Sequence, residues 1–441
     1  MDEHANQPFV PWFRAAAPYI HAFRGRTFVV GFGGEVVADG KFVALTHDLN
    51  LLAALGVRLV LVHGARPQIE ERLKRRNAGI RYVHDMRVTD EAALADVKEA
   101  SGRLHMEIEA LLSMGLPGSP MANATIRVSS GNFVVARPVG VVEGVDMQYT
   151  GEVRKVHAEA IERRLVAGEV VLLSSLGYSP TGEIFNLTVE DVATQSAIAL
   201  GADKLIFLMD EAGVPSGKGD LLRELTVSDA DRLMKGKRRP GADAGLYLPF
   251  AARACRGGVK RAHLISRHHD GALLLELFTH GGVGSMVTQD PLEQVRPADI
   301  DDVGGILRLI EPLEAEGTLV KRSRELLEIE IDRFIVIEHD GLIVGCAALY
   351  PFKSESAAEL ACLAVHADYR GSGAGERLLE AIEAKAAKAR LKRLFVLTTR
   401  ASHWFIEQGF AEAPVELLPR ARQELYNFQR RSKVLVKNLQ R

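Results

Sequence analysis

A chain of 441 residues exceeds one ordinary hydrophobic core and predicts two domains. With 47% hydrophobic and 25% charged residues, and 55 Lys and Arg against 57 Asp and Glu, the composition excludes a global pull toward nucleic acid or a membrane surface. The three cysteines, Cys255, Cys346 and Cys362, offer neither metal-ligand spacing nor an even disulfide framework, which fits a reducing, cytoplasmic setting. The opening MDEHANQPFV lacks the basic and apolar runs of a signal peptide, and no stretch approaches the roughly 20 apolar residues of a membrane span. A protein neither secreted nor embedded is expected.

In chain order, Trp12, Ala15, Ala16, Tyr19, Ile20 and Phe23 recur at helical spacing and predict an amphipathic helix over 11–23 that needs a partner surface. TFVVGF follows as a buried strand running into Gly33-Gly34, a turn whose amides suit a phosphate but which has no lysine beside it. Next come a helix over 41–55, the strand RLVLVHG and a helix over 67–76. Later, the strand VVLLSSLGY, a helix over 189–200 and the strand KLIFLMD repeat the pattern. Apolar strands alternating with helices predict a mainly parallel sheet covered on both faces.

The pattern breaks at 289–296, where a Pro-containing acidic stretch predicts a linker between a domain of residues 1–288 and another of 297–441. A helix over 301–314 is followed by RFIVIEHDGLIVGCAALYPF, a hairpin turning at Asp340-Gly341. Then come the strand ELACLAV, the loop YRGSGAG at 369–375, a helix over 376–389 and the strand RLFVLTT. At a helix N-terminus unpaired amides point outward, the dipole favours an anion, and glycines let a diphosphate approach the backbone closely. A strand before the loop and a helix after it make this an anion site by construction.

With Arg370, Gly373 and Gly375 in R-x-x-G-x-G register after Leu363-Ala364-Val365, residues 297–441 resemble the GCN5-related N-acetyltransferase family. The resemblance implies an α+β domain taking acetyl-CoA as co-substrate. It places the contacts at Leu363, Ala364, Val365, Arg370, Gly371, Ser372, Gly373, Ala374, Gly375 and Glu376. Direct transfer needs an amine made neutral, a thioester carbonyl held beside it and a proton for the departing thiolate. Glu359, leading ELACLAV, is the candidate base, with a solvated strand-end charge as the alternative. Thr398, ending the next strand, is the candidate acid, although threonine is also a favoured strand residue. Cys362 reads as a strand residue near the acceptor pocket, because direct transfer needs no nucleophile. Lys321-Arg322 and Arg430-Arg431-Ser432-Lys433 suit a dicarboxylate or serve solubility alone.

HGARPQIEERL, Val88-Thr89, GEIFNLTVEDVATQSAIALGADKLIFLMDEAGV and RAHLISRHHDGALLLELFTHGGVGSMV resemble the amino-acid kinase family over about 12–288, in particular N-acetylglutamate kinase. The resemblance implies a parallel-sheet sandwich but not kinase chemistry. Gly31 stands where the family's first lysine would be, and Arg66 enters the glycine-rich loop as His63-Gly64-Ala65-Arg66-Pro67. GADAGLYLPF supplies no second lysine. Each lost cation should cost several kcal/mol of transition-state stabilisation in phosphoryl transfer.

A kinase fold of this kind joined to an acetyltransferase resembles the bacterial N-acetylglutamate synthase family as a whole. The resemblance implies acetyl transfer from acetyl-CoA to the α-amine of L-glutamate, the first step of arginine biosynthesis, with feedback by L-arginine. Residue by residue, it implies Glu359 as base, Thr398 as acid where the family often has serine, and Arg322, Cys362, Arg431 and Ser432 at the substrate. For the effector it implies Tyr19, His263, Glu276, Gly282, Gly284 and Ser285. Glu276 could pair a guanidinium while loop amides receive a carboxylate; His263 could equally be a satisfied core histidine. A homo-oligomer is expected, a hexamer by the family's pattern, with no metal and no nucleic acid. Three readings stand beside this one: a bifunctional synthase-kinase, an arginine-binding regulator with a decayed acetyltransferase module, and a protein lysine acetyltransferase. The last would want an acidic groove rather than Arg322 and Arg431.

Overall fold

The computed structural model describes residues 9–77, 79–236, 240–279, 281–371, 373–427 and 432–439. They form two compact units that divide between Asp290 and Pro291.

The first unit is built on an eight-stranded sheet in the order Glu224–Thr226, Ser285–Thr288, Arg261–Ser266, Lys204–Met209, Thr27–Phe32, Arg58–His63, Val170–Ser174, Val128–Ser129. All neighbours run parallel except Arg261–Ser266 with Ser285–Thr288. Its strands are apolar throughout because both faces are covered. Phe28, Val30 and Phe32 enter one core with Phe42 and Leu49 of the helix Phe42–Ala54, and Val29 enters the other with Ala193 of the helix Val189–Ala199. Several elements had no counterpart in the sequence-based expectation, among them the helix Glu91–Leu112, capped by the Asp90 side chain on the Ala93 amide, the helix Ala242–Arg256, and a four-stranded sheet of Ile184–Asn186, Leu176–Tyr178, Val134–Pro138 and Gly151–Val156, of which only Leu176–Tyr178 fell within an expected strand. The leading helix spans Phe9–Phe23; it buries Ala16 and Phe23 and leaves Phe9, Val10, Trp12 and Phe13 exposed.

The second unit holds a seven-stranded sheet in the order Glu293–Pro297, Phe334–His339, Leu342–Phe352, Ala357–Val365, Arg393–Thr398, Lys433–Asn438, Ala411–Ala413. The first of these strands occupies much of the segment expected to be a linker, and it pairs with Phe334–His339. Asp340 and Gly341 turn the hairpin at φ 51° and 78°, the left-handed pair that matches strand twist. The helix Ala374–Lys388 packs Leu378, Leu379 and Ile382 on one face, while Val303–Ala315 and Arg324–Glu330 cover the other.

Two departures from regular pairing shape this sheet. Cys362 takes φ 53° in mid-strand, and the register with Leu342–Phe352 shifts opposite it. Alternation therefore slips by one residue: Ala358 and Leu360 face the Ala374–Lys388 side, then Leu363 and Val365 do, while Cys362 and Ala364 turn to the other core. The only parallel neighbours among the described strands of this sheet, Ala357–Val365 and Arg393–Thr398, pair at three positions and part after Glu359 opposite Phe395.

Gly31 has a packing role. A Cβ there would meet the Phe207 ring at 2.9 Å and the Ala193 Cβ at 3.1 Å, so the neighbouring strand fills the place of a lysine side chain. Gly31→Ala is expected to destabilise the chain by about 1–3 kcal/mol in chemical denaturation. An unchanged midpoint would mean that Phe207 can move aside.

Candidate functional site

In the second unit the parting strands leave one edge of Ala357–Val365 without a β partner beyond Glu359, and backbone donors and acceptors there face a gap. At the end of that strand Gly371 and Gly373 both take φ 80°, and Gly373 caps the helix Ala374–Lys388. The first intrahelical bond runs from the Arg377 amide to the Gly373 carbonyl, so the amides of Ala374, Gly375 and Glu376 precede it and point out of the helix. Arg370 is exposed and donates from Nε to the Val365 carbonyl at 3.4 Å, folding the loop back on its strand. A Cβ on Gly375 would meet the Trp404 ring at 3.1 Å, and Trp404 Nε1 donates to Glu376 Oε1 at 3.3 Å. Glu376 is thus engaged with the indole and brings negative charge to the first helical turn. Ser372 lies outside the described residues.

The acceptor side is assembled on the other face of the same strand. Glu359 lies opposite Tyr350 in the neighbouring strand and is half-buried. Both of its oxygens accept from one guanidinium: Arg422 donates from Nε at 2.6 Å and from Nη2 at 3.1 Å. Arg422 was not among the expected site residues, and its pairing across 63 residues leaves no sequence signal. Arg322 stands near Cys362 and Tyr350; burial opposes its charge, but the Cys362 thiol and Tyr350 hydroxyl push its pKa above the ordinary value. Tyr350 in turn donates to Glu330 Oε2 at 2.6 Å. The Thr398 hydroxyl oxygen accepts from the amides of Ala401 at 3.0 Å and Arg400 at 3.3 Å, which leaves its proton to donate. Arg431 lies outside the described residues. The Ser432 carbonyl accepts from the Tyr426 hydroxyl at 2.6 Å, and Lys433 pairs with Glu412 at 2.5 Å.

In the first unit the structure brings the expected effector residues together. His263 and Glu276 are buried, with Nδ1 and Oε1 2.7 Å apart; Oε2 accepts from the amides of Val283 at 2.8 Å and Gly284 at 2.9 Å. Gly282, at φ 54°, crosses so close that a Cβ would meet Glu276 Oε2 at 2.5 Å. Lys204 Nζ lies 3.2 Å from His263 Nε2 and 5.2 Å from the centre of the Phe23 ring. Phe23 stacks edge-on against Phe278 at 5.5 Å, so the helix carrying half-buried Tyr19 packs on the helix carrying Glu276. Ser285 is committed to structure, accepting from the Val214 amide and donating to the Leu222 carbonyl.

Burial and nearby Lys204 hold the His263 pKa down to about 4. The ring is then neutral at pH 7: Lys204 donates to Nε2, and Nδ1–H donates to the carboxylate. Burial opposes the charge on Glu276, but the His263 hydrogen bond and the two amides outweigh it and draw the pKa down to about 2.

A separate cavity of about 540 Å³ in this unit is lined by Gly33, Gly64, Arg66, Glu190, Asp210 and Tyr247 among others. Arg66 stacks 4.6 Å above the Tyr82 ring and donates to Glu70 at 3.3 Å. Burial raises the pKa of Glu190. A polyphosphate entering here would meet carboxylates as well as arginines, and Gly31, where the family's first lysine is expected, offers no cation.

The amino acid kinase family profile matches residues 26–266, and an acetyltransferase (GNAT) domain matches residues 330–412. An amino-acid acetyltransferase of Ralstonia nicotianae is 57% identical over 435 residues, covering 98% of this chain and 96% of its own length. Another, from Azotobacter vinelandii, is 54% identical over 432 residues and covers 98% and 99%. The chain belongs to the amino-acid acetyltransferase family. Among solved structures, N-acetylglutamate synthase from Neisseria gonorrhoeae complexed with coenzyme A and L-arginine matches with a TM-score of 0.89 at 37% identity, covering 98% of this chain and 100% of that one. The Neisseria synthase complexed with coenzyme A and N-acetyl-glutamate matches with a TM-score of 0.63 at 37% identity, with the same coverage. This acetyltransferase is therefore an acyl-transferring enzyme whose first unit has an amino-acid kinase fold. Among its described residues no His, Cys, Asp and Glu group could hold a metal ion, and no helix is long and apolar enough to cross a membrane.

The buried histidines give this acetyltransferase a definite response to pH. His263 at about 4 and His63, held at about 3 by burial and neighbouring His105, both lie below the ordinary value of 6.5. The unfolded chain binds those protons first, so their contribution is complete above about 6.5 and is lost as pH falls through the folded values. Glu276 adds a term present above 4.5 and lost toward 2. Half-buried Asp48, whose pKa is raised to about 7, works in the opposite direction, so the His263 contribution is read as a difference: in chemical denaturation the stability lost from pH 7 to 4 should be smaller in His263→Gln than in the parent chain. An unaltered loss in that variant would contradict the neutral-imidazole arrangement.

Proposed function

We propose that this amino-acid acetyltransferase moves acetyl from acetyl-CoA to the α-amine of L-glutamate by direct attack, with Glu359 as general base and L-arginine as effector in the kinase-like unit. The observation that carries the proposal is the position of Glu359 at the last paired residue before the strands part, on the face that also presents Arg322.

The gap accepts the pantetheine arm along the unpaired strand edge, and the Gly371–Gly373 turn with the helix amides receives the pyrophosphate. The thioester then lies near the mouth of the gap, between Glu359 and Thr398. Glu359 takes one proton from the glutamate ammonium, the amine nitrogen bonds to the carbonyl carbon, the cationic nitrogen of the tetrahedral intermediate loses a second proton to solvent, and the C–S bond breaks as the intermediate collapses. Thr398, whose oxygen is held by two amides, gives the departing thiolate its proton and recovers one from solvent. Arg322 and Arg431 take substrate carboxylates, which favours a dicarboxylate amino acid over a protein lysine.

For regulation, Glu276 is the pivot. An arginine guanidinium that takes over Glu276 frees the Val283 and Gly284 amides to receive the effector's carboxylate, and so changes the loop. The Neisseria synthase complexed with coenzyme A and L-arginine supports L-arginine as a ligand of this chain. Gly31 in place of the family's first lysine, packed against Phe207, argues against retained kinase activity. The glycine turn and Glu359 argue against a decayed transferase. The exposed Phe9, Val10, Trp12 and Phe13 support assembly into a homo-oligomer through the leading helix, a hexamer by the family's pattern. Three free buried thiols support residence in a reducing cytoplasm.

Glu359→Gln should lower kcat by about 10²–10⁴ with little change in the KM for acetyl-CoA, read by thiol release. Retained turnover would remove Glu359 as the base. Glu276→Ala should abolish the response to L-arginine while leaving basal turnover largely intact. A response that persists in this variant would move the effector site elsewhere.

A further inference from the structure

The Glu359–Arg422 pair is a built feature that the direct-attack scheme does not use. Arg422 lies on the short helix Arg420–Gln423, with its side chain 21% exposed against 12% for Glu359. All three donating nitrogens are engaged, since Nη1 also reaches the Leu425 carbonyl at 3.2 Å. The segment beneath is anchored: Gln423 Nε2 donates to the carbonyls of Leu418 at 2.7 Å and Glu416 at 3.0 Å, and Leu418 is buried with Ala357, Phe395 and Val434. A fork-to-fork ion pair is thus fixed where the acceptor amine must arrive.

We propose that Glu359 and Arg422 together form the receptor for the head group of an α-amino acid, with Arg422 taking the α-carboxylate as Glu359 takes the ammonium. This rests on Glu359 being the base. An α-amino acid carries both charges on one carbon, and the protein offers the opposite pair 2.6–3.1 Å apart. Set antiparallel, the two pairs exchange partners, and no charge in the partly buried site is left alone. An amine lacking the α-carboxylate could win Glu359 only by stranding Arg422, which is a built-in penalty against such acceptors. The exchange also releases the lone pairs of Glu359 to accept the proton, so the base becomes available when the right head group is bound. The side-chain carboxylate then falls to Arg322, which is near Cys362 and Tyr350 on the same strand face, and Arg422 replaces Arg431 as the holder of the second carboxylate. Arg422 is thereby a specificity-determining contact of the reaction.

The test is a ligand comparison in the full chain. 4-Aminobutyrate keeps the amine and the distal carboxylate of glutamate but lacks the α-carboxylate. Arg422→Gln should raise the KM for L-glutamate about 10- to 100-fold, while the competitive inhibition constant of 4-aminobutyrate falls or stays within about threefold and the KM for acetyl-CoA changes less than about threefold. Arg422→Lys should recover part of the loss, because it restores the charge without the fork. Arg322→Gln should do the converse, weakening glutamate but not L-2-aminobutyrate, which lacks the side-chain carboxylate. If Arg422→Gln does not turn over, calorimetric dissociation constants of the same ligands with coenzyme A present give the comparison directly. Equal weakening of glutamate and 4-aminobutyrate would overturn the proposal and leave Arg422 a purely structural clamp. Retained turnover in Glu359→Gln would instead remove the base assignment, whatever the ligand comparison shows.

Discussion

The strands Ala357–Val365 and Arg393–Thr398 share three residue pairs and then separate, and the chemistry of the second unit depends on that separation. A strand with an unpaired edge inside a sheet must have something else to bond. Here the separation is prepared by Cys362, whose left-handed backbone slips the alternation by one residue and turns the strand. The same slip puts Glu359 and Cys362 on the Arg322 side and Leu363 and Val365 under the helix whose N-terminus carries the glycine turn. The proposed substrate groove and base, and the approach to the glycine turn, all follow one irregular strand.

A second constraint applies at one largely buried carboxylate in each unit, where an internal partner answers the charge. Glu359 is answered by Arg422, and Glu276 by His263 and two loop amides. Each proposed ligand must therefore replace an internal partner with one of matching sign and shape. That requirement is a source of selectivity, since a ligand bearing only half the needed charges leaves a protein group unpaired. In the kinase-like unit Gly31, where the family's first lysine is expected, packs against the Phe207 ring and carries no cation.

Local signals were legible in the sequence and long-range ones were not. The Asp340-Gly341 turn, the strand–helix alternation and the glycine turn before Ala374–Lys388 are each specified by a few adjacent residues, and they stand where expected. Gly31 could be read as a missing lysine, but not as a seat for Phe207, because that ring comes from a strand paired across the sheet. Cys362 gives no hint of positive φ, since only glycine or asparagine would advertise it. Arg422 belongs to a polar stretch with no periodicity, and only the folded chain brings it to Glu359. Glu276 was legible as a charged group near a glycine loop, but its existing bonds to that loop were not. Arg431 and Ser372 were expected in the site and lie outside the described residues.

Catalysis is assigned to the second unit alone, although the first has an amino-acid kinase fold. The most direct test is to run both reactions on one purified sample. Acetyl-CoA with L-glutamate should yield free thiol and N-acetylglutamate, while ATP with N-acetylglutamate should yield no ADP above background. ADP formed at a rate comparable to thiol release would contradict the account.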